Sequence, residues 1–368
     1  MSLPVLTFAF RHTPTTAIHF YDALSQLFSD RLEYLDYDKV FVVLDETVDR
    51  HYGNLFKRAL AQLLTPSWFI VLPDGESVKT LSTYQYICDT LLDHKVRRNS
   101  LIISMGGGSI CNIAGFVAST ILRGITLIHI PTTLLAQNDA AIGHKQAINT
   151  RHGKNLLGSY YSPTEIWIVF EFLSSLPRRE IVSGIAESIK HGAAQDRALF
   201  DYLAKVPFSH SEPDLDPIRR VIYQTIQDKI TLMEKDPEET SVAAVLQYGH
   251  VIGHAVEFIS GFNLKHGEAI AIGMYCAGKF SNDLGILCRD DLKALEELLQ
   301  AYGLPHKIPH GLCISDIMSN LDYNKLSPNV NKPTFTLLRT IGEIYEEGGN
   351  FLHPLEKAQI ESMLSNCY

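Results

Sequence analysis

Four short apolar segments, with helix-like stretches between them, constrain the fold of this chain more than any other feature of its sequence. They comprise residues 39–44, 68–72, 100–105 and 125–130. Unbroken apolar runs of this length are typical of strands that are buried on both faces of a parallel sheet. Residues 80–94 have a helical pattern between two of these runs, so the first half of the chain predicts an α/β, Rossmann-like domain with a parallel sheet.

The pattern changes after Pro177. Residues 178–204, 217–235, 243–260 and 268–282 have helical periodicity, with little strand pattern between them. We therefore predict an α/β domain over residues 1–177 and a mainly α-helical domain over residues 178–368. A chain of 368 residues is long enough for two such domains.

Composition excludes several classes of protein. The formal net charge of −9 argues against a nucleic-acid-binding protein. No stretch reaches the roughly 18 apolar residues of a membrane helix, and the N-terminus lacks the features of a signal peptide. The six cysteines are scattered without a CxxC pair, which indicates reduced thiols, and we expect a cytoplasmic protein.

A glycine loop follows the third apolar segment. Gly106, Gly107 and Gly108 precede a helix-like stretch, residues 112–119. Glycine lets the backbone approach a pyrophosphate, and a helix N-terminus donates N–H groups to it. A tight turn without a ligand is the alternative. Asp45, at the end of the first segment, suits either a ribose hydroxyl or a helix N-cap.

Histidines at helical spacing predict a metal site. His250 and His254 are four residues apart and share one helix face, and His266 precedes another helix. Glu187 and Lys190 lie on one face of a third helix. A catalytic metal commonly takes three protein ligands of the histidine, histidine and carboxylate type. Glu187, His250 and His266 would provide that set, although histidines on helices are also common as structural residues.

A basic segment, residues 138–155, follows the fourth apolar segment. Lys145, Lys154 and Asn155 could bind a substrate phosphate by charge-assisted hydrogen bonds. A solvated loop is the alternative.

In their order along the chain, these motifs resemble the dehydroquinate synthase superfamily, the sugar-phosphate cyclases. The resemblance extends from about Asp45 to Lys325 and rests on an ordered set of motifs. The set comprises Asp74-Gly75-Glu76 with Lys79, Gly106-Gly107-Gly108, Leu122-Arg123-Gly124, Pro131-Thr132-Thr133, Asp139, Lys145, Gly153-Lys154-Asn155, Ala186-Glu187 with Lys190, Lys229, Gly249-His250, Gly253-His254, His266-Gly267-Glu268 and Asn324-Lys325.

The resemblance implies an N-terminal NAD-binding domain, a C-terminal domain that binds metal and substrate, and a homodimer. Zinc or cobalt would be held by Glu187, His250 and His266. The NAD site would comprise Asp45, Glu76, Lys79, Gly107, Gly108, Ser109, Thr132, Thr133 and Lys154. The substrate phosphate would meet Lys145, Asn155, Lys325 and, from the neighbouring subunit, Arg123. The catalytic residues would be Asp139, Lys145, Lys190, Lys229, Gln247 and His254.

The implied reaction begins when NAD oxidises a hydroxyl held on the metal. The new ketone acidifies the adjacent C–H bond and allows phosphate to leave. The hydride then returns, the ring opens, and an intramolecular aldol reaction forms the carbocycle. NAD is regenerated in each turnover, so the enzyme is a carbon–oxygen lyase.

Departures from the family pattern bear on the substrate. Dehydroquinate synthases carry an arginine facing the substrate carboxylate where this chain has Ala243, and an asparagine where it has Gln247. The sequence Lys145-Gln146-Ala147-Ile148-Asn149 instead resembles the 2-deoxy-scyllo-inosose synthases of aminocyclitol antibiotic biosynthesis, which act on glucose 6-phosphate. Those enzymes have a catalytic glutamate at position 247, however. Three alternatives therefore stay open: 3-dehydroquinate synthase, a valiolone-type sedoheptulose 7-phosphate cyclase and, more remotely, a metal-dependent polyol dehydrogenase.

Overall fold

Six parallel strands form the central sheet of the N-terminal half. The computed structural model describes residues 15–63, 65–206, 215–239, 241–321 and 332–368. The strands of the sheet are β1 (Ala17–Tyr21), β2 (Lys39–Asp45), β3 (Ser67–Leu72), β4 (Ser100–Gly106), β5 (Thr126–Pro131) and β8 (Glu165–Val169), and β6 (Lys145–Thr150) and β7 (Gly153–Tyr160) form a separate hairpin. The order across the sheet is β1-β8-β5-β4-β2-β3.

The predicted α/β fold class is confirmed. Strands β2 to β5 coincide with the four apolar segments. The side chains of β2, β4 and β5 are mostly buried between helices on both faces of the sheet, whereas β3 is an edge strand in which only Ile70 and Leu72 are buried. Helices α1 (Leu24–Arg31), α2 (Glu46–Val48) and α3 (Asn54–Leu60) lie on one face, and α4 (Leu81–Asp93) and α5 (Gly108–Thr120) lie on the other.

The basic segment forms the β6–β7 hairpin instead of a loop. The two strands pair antiparallel, with Lys145 opposite Tyr160 and Ile148 opposite Leu157. Ala147 and Ile148 are buried against the α/β core, and α5 packs on β6.

The second half is mainly helical. Its helices are α6 (Arg178–Ala194), α7 (Arg197–Lys205), α8 (Leu215–Met233), α9 (His250–Ile259), α10 (His266–Asp283), α11 (Arg289–Ala301), α12 (Ile314–Leu321) and α13 (Lys357–Leu364). Short two- and three-residue strands, β9 (Thr334–Phe335), β10 (Leu338–Thr340), β11 (Glu343–Ile344) and β12 (His353–Pro354), form two antiparallel pairs, β10 with β11 and β9 with β12. Among the described residues, no helix combines the length and apolar character that crossing a membrane requires.

The predicted domain boundary after Pro177 coincides with the start of α6. Its role as a domain boundary stays a prediction.

Two predicted helices are divided in the structure. The stretch 178–204 breaks at Gln195, and the Asp196 side chain accepts a hydrogen bond from Leu199 N at 3.0 Å to start α7. The stretch 243–260 is divided by Gly249, whose φ is +77°. A Cβ on Gly249 would lie 2.7 Å from Met274 Cγ, so this turn needs glycine and brings His250 to the start of α9.

Helix α6 joins the two halves. Its buried face includes Ile185 and Ile189, which pack in one cluster with Ile166 and Ile168 of β8 and with the side chains of α8 and α10. Polar residues of α6 are therefore held between the sheet and the helical half.

Candidate active site

Three side chains from three helices meet beside the starts of α9 and α10. Glu187 lies within α6, whereas His250 and His266 are the first residues of their helices. The Nε2 atoms of His250 and His266 lie 3.6 Å and 3.5 Å from Oε1 of the fully buried Glu187. The structure brings together the three residues predicted as metal ligands.

This donor set fits a divalent cation. Ligand atoms bound to zinc at about 2.0–2.1 Å in tetrahedral geometry lie about 3.3 Å apart, close to both distances above. Within the described part of the chain, the buried Oε1 of Glu187 receives no hydrogen bond. A cation between the carboxylate and the imidazoles would satisfy that oxygen.

Neighbouring groups orient the two imidazoles. Nδ1 of His266 lies 3.0 Å from Oε2 of Glu257, and Nδ1 of His250 lies 3.1 Å from the carbonyl oxygen of Tyr248. Partners of this kind fix the ring so that Nε2 faces a metal. Burial would lower the pKa of His266, but Glu257 and Glu187 raise it to about 9, so the site favours positive charge.

A third imidazole lies beside the first two. The ring of His254 lies 5.0 Å from that of His250 and 5.7 Å from that of His266, centroid to centroid. The ligand atoms of these three histidines lie within 4.8 Å of one another, as do those of Asp139, Glu187 and His191. Because Glu187 contacts both His250 and His266 and brings the balancing charge, it fits better than His254 as the third ligand.

Buried charges surround the cluster. The ammonium group of Lys190 donates to Oε2 of Glu187, and that of Lys229 donates to Oδ1 of Asp139 at 2.6 Å. Burial would raise the pKa of both carboxyl groups, but these lysines outweigh it and hold both pKa values below the ordinary range. The two carboxylates therefore lie in ionised form beside Lys190 and Lys229.

A salt bridge connects this cluster to the end of the sheet. Nζ of Lys154, on β7, lies 2.5 Å from Oε1 of Glu257 on α9 and 3.8 Å from Oε1 of Glu76. Burial would raise the pKa of Glu76, but Lys79 and Lys154 lower it to about 2. An unbroken row of charges thus extends from His266 to the α/β half.

The predicted nucleotide residues gather around the glycine loop. Oγ of Ser109 donates to Glu76 at 2.7 Å, and Thr132 N donates to Gly106 O at 2.9 Å. A Cβ on Gly107 would lie 3.1 Å from Cγ2 of Thr133, and one on Gly108 would lie 3.1 Å from Cβ of Ala140. The loop therefore leaves its backbone N–H groups at the start of α5 close to the strand ends, as a pyrophosphate site requires.

Asp45 and Lys79 form internal contacts in this region. Oδ1 of Asp45 accepts a hydrogen bond from Val48 N at 2.8 Å, which is the helix-cap alternative left open above. Burial raises the pKa of Asp45 to about 6. Lys79 is buried and its ammonium group lies 3.2 Å from Glu76, 2.9 Å from Asn112 and beside the amide oxygen of Asn155. Asn155 therefore faces the nucleotide side of the site.

A second polar group lies next to the cluster. Oε2 of Glu239 lies 2.5 Å from Nζ of Lys145 and accepts a hydrogen bond from Nε2 of Gln247, also at 2.5 Å. The side chain of Glu239 is 7% exposed, whereas that of Lys145 is 42% exposed. Lys145 and Gln247, both predicted to face substrate, are brought together by a carboxylate that the sequence analysis did not select.

One predicted phosphate residue lies away from the site. Arg123 is exposed at the far end of α5, a helix that starts at the glycine loop. Thirteen helical residues span about 20 Å, so within one chain Arg123 does not join the site, and its contribution from a neighbouring subunit stays a prediction. Lys325 lies outside the described residues.

Sequence reasoning missed Glu257 and Glu239. Glu257 lies three residues after His254 and seven after His250, so helical spacing could have placed it on the same face. Glu239 lies in an irregular segment with φ +55°, for which no periodicity exists. Asn149, which donates to Glu76 at 2.9 Å, was quoted only as part of a motif.

The chain is similar to known proteins along most of its length. Residues 69–183 match the family model described as 3-dehydroquinate synthase N-terminal, and residues 184–326 match that described as 3-dehydroquinate synthase C-terminal. Fold and site thus define a two-domain enzyme of the carbon–oxygen lyase class that acts on phosphates. The chain belongs to the dehydroquinate synthase-like superfamily of sugar-phosphate cyclases.

The similar proteins are named for different activities. A 3-dehydroquinate synthase of Nostoc punctiforme is 37% identical over 314 residues, which is 83% of this chain and 85% of the relative. A crystal structure of 2-deoxy-scyllo-inosose synthase with carbaglucose-6-phosphate, NAD+ and Co2+ has a TM-score of 0.87 at 27% identity, covering 95% of this chain and 96% of that chain. ValA of Streptomyces hygroscopicus, a 2-epi-5-epi-valiolone synthase with NAD+ and Zn2+, has a TM-score of 0.87 at 23% identity over 99% of both chains, which shows the shared fold.

Proposed function

We propose that this cyclase uses NAD and a divalent metal, zinc or cobalt, to convert glucose 6-phosphate into 2-deoxy-scyllo-inosose. The observation that supports the proposal most is the Glu187, His250 and His266 cluster, which a row of salt bridges joins to the glycine loop. Oxidation of a metal-held hydroxyl by NAD needs these two sites side by side. Crystal structures of two relatives, described above, contain NAD+ with Co2+ or Zn2+.

When bound, NAD would supply a reversible hydride transfer and the metal a Lewis acid for the substrate oxygen. The chain's own residues would bind and orient the sugar. Lys190 and Lys229 would neutralise developing oxyanions, and Asp139 would accept a hydrogen bond from a hydroxyl group. Lys145 would face the phosphate group as a charge-assisted donor. His254 would exchange a proton with the reacting hydroxyl beside the metal.

The substrate end of the site supports a sugar phosphate without a carboxylate. Ala243 is fully buried and its N–H donates to Asp236 at 3.0 Å, so no cation stands where the family resemblance implies an arginine. The nearby Glu239 carboxylate would repel a carboxylate substrate. A lost bidentate arginine is a substantial loss in binding energy. The relative crystallised with carbaglucose-6-phosphate supports the same choice.

A second candidate is 3-dehydroquinate synthase. Curated relatives at 35 to 40% identity carry this name and cover most of the chain. Their overall identity favours this activity more than the 27% identity to the inosose synthase does. The alanine at position 243 favours the substrate without a carboxylate.

One experiment separates the candidates. The purified protein, supplied with NAD and Zn²⁺ or Co²⁺, is given glucose 6-phosphate, sedoheptulose 7-phosphate or the seven-carbon ketoacid phosphate of aromatic biosynthesis. We expect release of inorganic phosphate from glucose 6-phosphate without net accumulation of NADH. Release from the ketoacid phosphate alone would establish the second candidate instead. Stoichiometric NADH without phosphate would indicate a polyol dehydrogenase.

The same preparation tests the proposed homodimer. Its mass in solution is measured by light scattering, and mixing inactive Arg123→Ala chains with inactive His250→Ala chains should restore activity if Arg123 acts across the subunit interface.

A further inference from the structure

We propose that Glu239 accepts the proton whose removal allows phosphate to leave, in place of the glutamate that inosose synthases carry at position 247. The inference rests on the proposed cyclase reaction. It concerns a carboxylate that no motif of the sequence singled out.

The position of Glu239 is built into the fold. The N–H group of Glu239 donates to Asp236 O at 3.1 Å, and Asp236 Oδ2 accepts hydrogen bonds from Ser241 N at 2.6 Å and Ala243 N at 3.0 Å. Glu239 itself has φ +55°, in the left-handed region that is unfavourable for a residue with a side chain. The turn around Asp236 therefore holds Glu239 in a conformation that glycine would adopt more easily.

The contacts of Glu239 point into the site. Its Oε2 accepts from Gln247, the residue at the expected glutamate position, and from Lys145, the residue predicted to meet the phosphate. Its charge also raises the pKa of Lys190, after the larger contributions of Glu187 and Asp139. Because both donors meet Oε2, Oε1 is the atom whose lone pair would take up a proton.

Gln247 cannot accept a proton at neutral pH, but it can hold a carboxylate that does. The amide of Gln247 donates to the carboxylate of Glu239, so a carboxylate stands next to position 247 although residue 247 is not itself acidic. Ala243 leaves this side of the pocket without the arginine that would otherwise neutralise Glu239.

After the substrate hydroxyl has been oxidised by NAD, the carbon beside the new ketone is acidic. Glu239 takes the proton from this carbon, the C–H electron pair forms a carbon–carbon double bond, and the C–O bond to phosphate breaks with its electron pair on the phosphate oxygen. The phosphate leaves beside Lys145, and Glu239 returns its proton in a later step.

Single-turnover kinetics of the holoenzyme with the sugar phosphate that supports turnover test this role. The absorbance of enzyme-bound NADH reports the oxidation, and inorganic phosphate reports the elimination. For Glu239→Gln we expect NADH to form at nearly the wild-type rate while phosphate release slows by at least about 100-fold, as for loss of a general base. Glu238→Gln, an exposed neighbour of the same charge, should leave both steps unchanged.

The exchanged pair, Glu239→Gln with Gln247→Glu, provides the second measurement. It restores one carboxylate and one amide in contact, so phosphate release should recover at least tenfold over Glu239→Gln. If Glu239→Gln does not fold, the exchanged pair is compared directly with the wild type and should retain NADH formation together with phosphate release.

The possible results separate the two proposals. Phosphate release by Glu239→Gln within threefold of wild type would overturn the role of Glu239 alone, as would equal loss of NADH formation and phosphate release in a folded variant. A wild-type enzyme that releases phosphate from none of the three sugar phosphates would overturn the cyclase reaction proposed for this chain, and the role of Glu239 with it.

Discussion

At the scale of single residues, the chemistry depends on Glu187, His250 and His266. We expect His250→Ala to lose bound metal and phosphate release together, because two ligands remain where a catalytic cation needs three. The fold should persist, since alanine continues α9 without a buried charge. Metal content by elemental analysis, phosphate release and circular dichroism measure the three properties.

His51→Ala is a matched control, because His51 is exposed and lies far along the chain from the cluster. It should keep metal and activity. A His250→Ala protein that retains stoichiometric metal and full activity would show that the ligand set is wrong.

The residues that sequence could predict are those whose spacing follows a regular element. His250 and His254 are recognisable from helical spacing, and Glu257 follows from the same rule. Glu239 is different, because its neighbours Lys145 and Gln247 come from a hairpin and from a short 3₁₀ turn, Val242–Gln247. Such a contact depends on tertiary packing and leaves no pattern in the sequence.

At the scale of secondary-structure elements, α7 and α8 meet at two carboxyl groups. Asp196 caps α7, and Asp228 on α8 lies next to it. Burial and then Asp196 raise the pKa of Asp228 to about 7, and within the described residues its buried Oδ2 has no hydrogen-bond partner. The pair therefore opposes the packing of α7 on α8 when Asp228 is ionised.

The sign of the pH dependence follows from this pKa. Because the pKa of Asp228 is higher in the folded than in the unfolded chain, folding is penalised progressively as pH rises from about 4 to about 7. Asp228→Asn removes this penalty and can donate to Asp196. We expect a gain on the order of 1 kcal/mol at pH 8, after allowance for partial exposure to solvent, and little gain at pH 4.

Thermal unfolding at pH 8 and at pH 4 measures this effect, as a rise in Tm of roughly 2–4 °C at the higher pH only. Asp89→Asn, at an exposed position of α4, should show no such difference between the two pH values. An equal change at both pH values would contradict the raised pKa.

Elements were predictable where burial dominates the residue pattern. Strands β2, β4 and β5 are largely apolar because helices cover both faces of the sheet, and β3 has an apolar run although it is an edge strand. Strand β1 was not predicted, since it is an edge strand with only Tyr21 buried, and β8 begins with Glu165 and is only five residues long. The division between α6 and α7 depends on the Asp196 cap, a local signal within an otherwise continuous helical pattern.

At the scale of the whole molecule, one salt bridge connects the two halves next to both ligand sites. Lys154 belongs to the hairpin beside the glycine loop, and Glu257 orients His266 in the helical half. Burial would lower the pKa of Lys154, but Glu257 and Glu76 outweigh it and raise it. The lysine therefore stays charged and holds both carboxylates.

This connection predicts that NAD and metal bind cooperatively. A nucleotide at the glycine loop would order the hairpin and Lys154, and through Glu257 the ring of His266, so that less ordering is left for the metal to impose. We expect NAD to raise the affinity for Zn²⁺ by about fivefold or more, within the usual range of coupling between sites.

In Lys154→Met this ratio of Zn²⁺ affinities with and without NAD should fall towards one, whereas Lys293→Met, which changes an exposed lysine of α11, should keep it. Calorimetric titration of metal-free protein with Zn²⁺, with and without NAD, gives the ratio directly. Reciprocity requires Zn²⁺ to strengthen NAD binding by the same factor, and a wild-type ratio that survives in Lys154→Met would show that the two sites communicate by another route.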